Sequence, residues 1–564
     1  MNPGGLSRLV PGASPALCDM LRPGAGRLQP PLRSELFGQA RFAQHGRSLA
    51  QTHRAERPVL GVRTFAPRLR ENLRELARAH RYLGLQAGLG GDVSPAAEWL
   101  LDNFPLVEAQ AGEIQAGLPR SEFRALPLLL DAPLDGLPRI YGVAWAFVAH
   151  TDGAFDEELL VAFLDAYQGV RELTQSEVWA LPTTLRVVLM ENLRRLAERV
   201  AAHKAARELA HLCCDSIERL GLPALDEVLQ ALRARGVDRV FLVQMAERLS
   251  QRRFTVDTGV MDWLHRSLPD PAPEQIQQFA DEAADNLSVS NALTSLRSIG
   301  DADWPVLVAR TSRLMTAMRT SAVFEAEDAT TRGQTLHAIE RLARRSGRSE
   351  VAVAQMLLQR MRAHAGHLGG ADQASHWLRG PGRAELLRAL GLHEPLASAW
   401  RRLAPHAVLP AYLAAIALGT LGLVMALVLS QSPVLNGWTA LVALLMLWPA
   451  SETVVATLNR LISESVRPQP LPRLALAEGI PAEHRVIVVI PCLLTDDAAI
   501  ATLAHRLLLH HLANPERCAQ FALLTDGADA PQAVMPGDEA LLARAVDAIR
   551  DLNAQHPVAS GDPP

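Results

Sequence analysis

The feature that most constrains this chain is a long stretch without charge, because residues 403–451 contain no Asp, Glu, Lys or Arg. A water-soluble core rarely requires so many consecutive uncharged residues. Residues 407–430 are long enough to cross a hydrocarbon layer of about 30 Å. Their eleven Leu, Ile and Val side chains favour insertion by about 3 to 7 kcal/mol, at roughly 0.3 to 0.6 kcal/mol each. We therefore predict transmembrane helices over 407–430 and 436–458, with a buried core helix as the alternative for the second.

The charges on either side of this stretch predict its orientation. Arg401 and Arg402 precede it, and Arg460, Arg467 and Arg473 follow it, whereas the intervening turn has no charge. The positive-inside rule places both basic flanks in the cytoplasm. No secretory signal is recognisable at the amino terminus. We expect a multi-pass membrane protein with both termini cytoplasmic.

Residues 33–402 show helical periodicity almost throughout. Leu69, Leu73, Leu76 and Leu83 recur at the spacing of one helix face, and a similar apolar series runs over residues 185–200. A helix start is predicted near residue 95, where a serine that can cap the helix precedes a proline. The pattern predicts a large, cytoplasmic, all-α domain.

The amino-terminal segment is strongly basic. Residues 1–70 carry eleven arginines and three acidic residues. We predict that residues 1–32 form a disordered basic arm. Because the arginines are spread out rather than clustered, we expect no nucleic-acid partner. The five cysteines show no spacing typical of a disulfide framework or a zinc site.

A different pattern follows the apolar stretch and a Pro-rich linker over 467–484. Strand and helix patterns alternate over residues 486–490, 497–512, 520–525 and 539–553. The first predicted strand is β-branched and stops at Pro491, and the second ends at Asp526. Residues 485–564 therefore predict the incomplete start of an α/β sheet, in which ligands bind beyond the carboxyl ends of the strands.

Several segments, taken together in order, carry a resemblance. They are LRSELFG (32–38), VSPAAEWLLDNF (93–104), PRIY (138–141), AHTDG (149–153), EVWAL (177–181), ENLRR (191–195), VSNA (289–292), and the stretches 339–350 and 485–529. With these segments the chain resembles the front part of the bacterial cyclic β-1,2-glucan synthases. The resemblance implies a mostly α-helical protein with a transmembrane hairpin and the truncated start of a GT-A-like glycosyltransferase domain.

The resemblance also implies an activity, the transfer of glucose from UDP-glucose to a growing β-1,2-glucan at the membrane. The family's acidic metal motif and catalytic base lie further along and have no counterpart in this chain. We therefore assign no catalytic residue and no metal ligand here, and expect Mg²⁺ or Mn²⁺ only in the complete enzyme. The alternative is a catalytically inactive, membrane-anchored helical scaffold or regulatory fragment of such a synthase.

Three residues are candidates for contact with UDP-glucose. Asp526, at the end of the second predicted strand, can accept hydrogen bonds from the base or ribose of UDP. A turn-capping role is the alternative for this aspartate. Pro491 and Thr495 are expected beside the uridine, although Cys492 and Asp496 depart from the small hydroxyl residues usual in the family at these positions.

Overall fold

The computed structural model describes residues 4–22, 26–56, 66–117, 126–251, 258–364, 370–393, 396–431, 437–465, 471–532 and 535–556. Helix accounts for 72% of the structure, which confirms the prediction of a mostly α-helical chain. The chain divides into two compact units. The first comprises Met1–Met318 and Ile339–Met356, and the second comprises Arg319–Ala338 and Leu357–Pro564.

The first unit is built from short helices around one long helix. Its helices are α1 Gly4–Leu9, α2 Pro15–Met20, α3 Gln39–Thr52, α4 Ala66–Gly88, α5 Pro95–Asp102, α6 Phe104–Ala116, α7 Arg139–His150, α8 Glu157–Gln168, α9 Gln175–Asp215, α10 Leu222–Arg235, α11 Asp238–Gln251, α12 Thr258–Ser267, α13 Pro271–Asp301, α14 Trp304–Thr311 and α15 Arg313–Met318. Two further helices, α17 Ala329–Ser346 and α18 Glu350–Ala363, contribute residues to both units.

Helix α9 forms the centre of the first unit. It contacts α4, α7, α11 and α13, and its buried residues occur on all sides of the helix. A capping box defines its start, because the Thr174 hydroxyl accepts from the Glu177 backbone N–H while the Glu177 carboxylate accepts from the Thr174 N–H. Because α9 is buried on every side, its 41 residues show no clear polar face.

The prediction that residues 1–32 form a disordered arm is wrong for the residues that the structure describes. Val10, Leu17 and Leu21 are fully buried in the core of the first unit. Ser14 caps α2 by accepting from the Leu17 backbone N–H at 3.2 Å. Burial of these apolar side chains, which lie in or beside α1 and α2, outweighs the basic composition of the segment.

Two smaller expectations for the first unit also need correction. The region is not entirely α-helical, because β1 (Ala55–Glu56) pairs antiparallel with β2 (Leu128–Leu129). Ser94 does precede α5, but its side chain makes no capping hydrogen bond. Its backbone carbonyl instead accepts from the N–H groups of Ala97 and Glu98. The sequence did not predict β1 and β2 because a two-residue strand is too short to leave a period-2 pattern.

The second unit contains two long apolar helices and a small sheet. Its remaining elements are α16 Ala322–Ala326, α19 Ala374–Leu378, α20 Arg383–Ala389, α21 Leu396–Gln431, α22 Gly437–Ser465, a 3₁₀ turn over Ala482–His484, β3 Val486–Leu494, α23 Asp497–Ala513, β4 Ala519–Gly527 and α24 Asp538–Gln555. Strands β3 and β4 are parallel, and α23 connects them.

Helices α21 and α22 pack against each other as a hairpin. Val408–Ser430 and Gly437–Ser465 are long and apolar enough to cross a membrane, and only 11% and 6% of their most apolar windows are buried within the protein. A methyl group added at Gly419 would lie 2.8 Å from Val454 Cγ1, so the backbones approach closely there. The predicted turn over 432–436 lies outside the described residues.

The chain before the hairpin is hydrogen-bonded to the chain after it. The Asp328 N–H donates to the Arg473 carbonyl at 2.9 Å, and the Ala475 N–H donates to the Ala326 carbonyl at 2.9 Å. Glu327 and Leu474 form an antiparallel bridge between these bonds. Residues 467–470 of the Pro-rich linker lie outside the described residues, and residues 473–475 contact residues 326–331. The chain that precedes the two apolar helices and the chain that follows them therefore contact each other.

Candidate functional site

The site predicted from the sequence lies at the carboxyl edge of the small parallel sheet. β3 and β4 pair from Val486 opposite Ala519 to Leu494 opposite Gly527. The β-branched run at the start of β3 explains why this segment is extended. Because parallel strands end at the same edge, the structure brings Thr495 and Asp526 to that edge.

Asp526 is an exposed residue near the end of β4, opposite Leu493. Its carboxylate Oδ1 accepts a hydrogen bond from the backbone N–H of Gly527 at 2.9 Å. This bond is local to β4, because both residues lie in that strand. Since the side chain is also exposed, its carboxylate faces solvent at the edge where a nucleotide is expected.

Thr495 follows β3 directly and is exposed. Its hydroxyl lies 3.5 Å from Asp496 Oδ2 and donates toward it. Asp496 Oδ1 accepts from the Ala499 N–H at 2.8 Å and so caps α23. The residue that departs from the family's pattern therefore stabilises the helix start next to the predicted uridine position.

Pro491 is not at the end of the first strand, as the sequence predicted. It lies within β3, opposite Leu524, and the strand continues to Leu494. β3 pairs with one strand only among the described residues, and a proline without an N–H is tolerated in such an edge strand. The first strand therefore ends three residues later than predicted, directly before Thr495.

One face of the sheet is covered near its carboxyl edge, and the other face is bare. Leu494 packs with Ile500 of α23 and Ala545 of α24. On the opposite face, the side chains of Ile487, Val489, Leu493 and Leu524 are 59%, 47%, 55% and 60% exposed. Residues directly opposite each other share a face, so Asp526 lies on this bare apolar face with Leu493.

The residues at this edge do not fit a divalent cation. Over the ranges that the structure describes, no three His, Cys, Asp or Glu side chains form a group that could hold a metal ion. A hard cation takes several oxygen ligands, and at this edge the carboxylates of Asp526 and Asp496 each accept a local backbone hydrogen bond. We derive no step through a metal from these residues.

A second polar arrangement, which sequence reasoning did not single out, lies inside the first unit. Glu177, Glu191 and Glu198 are buried along α9, and each is ion-paired with at least one arginine. Arg139 binds Glu177 through two hydrogen bonds of 2.8 and 2.5 Å. The three glutamates follow one another along α9 at intervals of fourteen and seven residues, which keeps them on similar sides of the helix. This spacing is the sequence signal that could have revealed the series.

Glu191 shows the electrostatic result of this pairing. Burial would raise the pKa of its carboxyl, but the hydrogen bonds and charge of Arg68, with further hydrogen bonds from Arg195 and Tyr141, lower the pKa to about 2. The Arg68 bonds are 2.8 and 2.6 Å long. Glu191 is therefore a fixed anion at neutral pH and is unsuited to act as a general acid.

The chain is related to a bacterial glucan synthase. The relative is the cyclic beta-(1,2)-glucan synthase NdvB of Rhizobium meliloti (strain 1021), which is 30% identical over 538 residues. This match covers 93% of the chain but 19% of the relative. No family model matches the chain. The resemblance seen in the sequence is thereby confirmed.

Proposed function

We propose that this chain is the front portion of a membrane-bound cyclic β-1,2-glucan synthase, which transfers glucose from UDP-glucose to a growing β-1,2-glucan. The observation that carries the proposal is the similarity to a synthase of that name over 93% of the chain. The apolar hairpin and the parallel βαβ unit that follows it are the parts expected of a membrane-bound enzyme that uses a nucleotide sugar.

Catalysis by this portion requires additional protein segments. The bare face of the sheet exposes apolar side chains that need a covering layer. Two paired strands are also too few to form an independently stable nucleotide pocket. The remaining strands, the divalent cation site and the acceptor site are supplied, in this proposal, by sequence that corresponds to the rest of the longer relative.

Within the complete enzyme, Asp526 accepts hydrogen bonds from the uridine, and Thr495 lies beside it at the same edge. The test is transfer of radiolabelled glucose from UDP-glucose in membranes that contain the chain joined to the downstream sequence of its gene. Asp526→Ala is expected to reduce UDP-glucose use about 10-fold, as expected for a lost charge-assisted hydrogen bond. Asp529→Ala is the matched control, because it removes a neighbouring exposed carboxylate.

The outcomes separate this proposal from a scaffold role. Normal transfer by Asp526→Ala would mean that Asp526 has only a local structural role. Absence of transfer from the joined protein, with both variants folded, would favour the alternative of a membrane-anchored helical scaffold. Robust synthesis by residues 1–564 alone would contradict the need for additional segments.

We also propose that the hairpin crosses the inner membrane with both flanks in the cytoplasm. The backbone bonds between residues 326–328 and 473–475 support a common side for the two flanks, and the flanking arginines select the cytoplasm. Alkaline phosphatase inserted after Asn436 should be active, whereas the same reporter after Arg473 should be inactive. Activity at Arg473 would refute this topology.

A further inference from the structure

A polar cleft in the first unit is not used by the proposed function. It has a volume of about 510 Å³, which lies within the usual range for pockets that bind small molecules. We call it the arginine cleft. It is lined by Arg22, Arg27, Gln29, Arg68, Glu71, Asn72, Glu75, Arg78, Glu191, Arg194, Glu198 and Arg235.

The charge of the arginine cleft favours an anion. Its lining contains six arginines and four glutamates, which leaves two positive charges in excess. The glutamates are also engaged already. Glu191 accepts from Arg68 and Arg195, and Glu198 accepts from Arg194 at 2.9 Å and from Arg235. The lining therefore has more donor capacity than its own carboxylates use.

Unpartnered groups in the cleft are donors. Asn72 is only 5% exposed, lines the cleft, and its side-chain Nδ2 has no hydrogen-bond partner. The buried Nε atoms of Arg78 and Arg194 are likewise without a partner. Glu75 Oε2, although not hydrogen-bonded, is ion-paired with Arg78. A buried donor without an acceptor is unfavourable, so an acceptor-rich ligand that reaches these atoms would be stabilised here.

We propose that the arginine cleft binds a small molecule carrying a dianionic phosphate group, such as a sugar phosphate or a nucleotide. Guanidinium groups match phosphate oxygens in geometry and charge. The amides of Asn72 and Gln29 can bind hydroxyl groups of the attached moiety. A neutral glucan fits less well, because none of the described lining residues is aromatic and the net charge of the lining is positive.

The residues of the arginine cleft belong to the first unit, whereas Asp526 belongs to the second. The test is isothermal titration calorimetry of the full chain in detergent, at low salt, in an Asp526→Ala background that weakens uridine binding at the sheet. Inorganic phosphate, glucose 1-phosphate, UDP and unphosphorylated glucose are the four titrants. We expect the phosphate-bearing titrants to bind and glucose to give no heat.

Two variants test the location of binding. Arg27→Gln removes one exposed positive charge from the cleft and is expected to weaken phosphate binding about 10-fold. Asn72→Leu replaces the unpartnered amide by an apolar side chain and is also expected to weaken binding. Arg41→Gln, which removes an exposed arginine outside the lining, is the matched control and should bind like the parent chain.

Three outcomes would overturn the proposal. They are no heat with any phosphate-bearing titrant, equal binding of unphosphorylated glucose, and phosphate binding unchanged by Arg27→Gln. Because Arg27 is exposed, its substitution leaves the fold intact and gives a result even if Asn72→Leu does not fold. The relative binding of inorganic phosphate, glucose 1-phosphate and UDP identifies the attached moiety.

Discussion

The ion pair of Arg139 and Glu177 allows a quantitative test of the first unit. Arg139 begins α7 and Glu177 lies in the first turn of α9, and their side chains are 8% and 0% exposed. Replacing Arg139 by methionine keeps most of the apolar stem but leaves the Glu177 carboxylate buried without its cation. The remaining hydrogen bonds to that carboxylate come from Thr174 at 2.9 Å.

The expected cost follows from the burial of the pair. Removing one partner of a buried ion pair destabilises a protein by about 3 to 5 kcal/mol, because the other charge stays desolvated. The matched control is Arg41→Met. Arg41 pairs with Glu35, and these side chains are 59% and 60% exposed, so its loss should be worth about 0 to 1 kcal/mol.

Pulse proteolysis of the full chain in urea measures this difference. The unfolding midpoint of the first unit should fall by about 1 M urea or more in Arg139→Met, given m-values of about 1 to 3 kcal/mol/M. Adding Glu177→Gln should recover part of the loss, because it removes the buried charge and keeps an acceptor for Thr174. A midpoint shift in Arg139→Met no larger than in Arg41→Met would refute the reasoning.

Two further predictions concern the second unit. Burial, together with the neighbouring charge of Asp328, raises the pKa of Glu327 to about 7. The neutral carboxyl therefore stabilises the folded state fully below the unfolded pKa of about 4.3, and this stabilisation is lost as the pH rises through 7. Glu327→Gln should therefore remove this loss in thermal unfolding between pH 5 and 8, and an unchanged pH profile would contradict it. Gly419→Val should clash with Val454 and lower the melting temperature in detergent. Gly422→Val is the control and should leave the melting temperature unchanged, because nothing lies within 4 Å of a methyl group added there. Equal effects of the two substitutions would refute the close contact.

Much of the secondary structure could be predicted from the sequence because its causes are local. The charge-free stretch, the apolar series over 185–200 and the β-branched run of β3 depend only on side chains within a few positions. Even so, β3 extends past Pro491, since an unpaired strand edge tolerates proline. At the candidate site, the sequence indicated the strand order but could not show that the Asp526 carboxylate accepts a hydrogen bond from the Gly527 N–H.

Local sequence patterns were enough to predict that this chain is mostly helical, that it has two long apolar helices and that it resembles glucan synthases. The folded structure was needed to show that residues 4–22 join the core, that residues 326–328 bond with 473–475, and that arginines from separate helices meet buried glutamates on α9. Arg68 and Glu191, for example, are 123 positions apart. Such contacts depend on how the faces of distant helices pack, and the periodicity of one segment does not specify its partner.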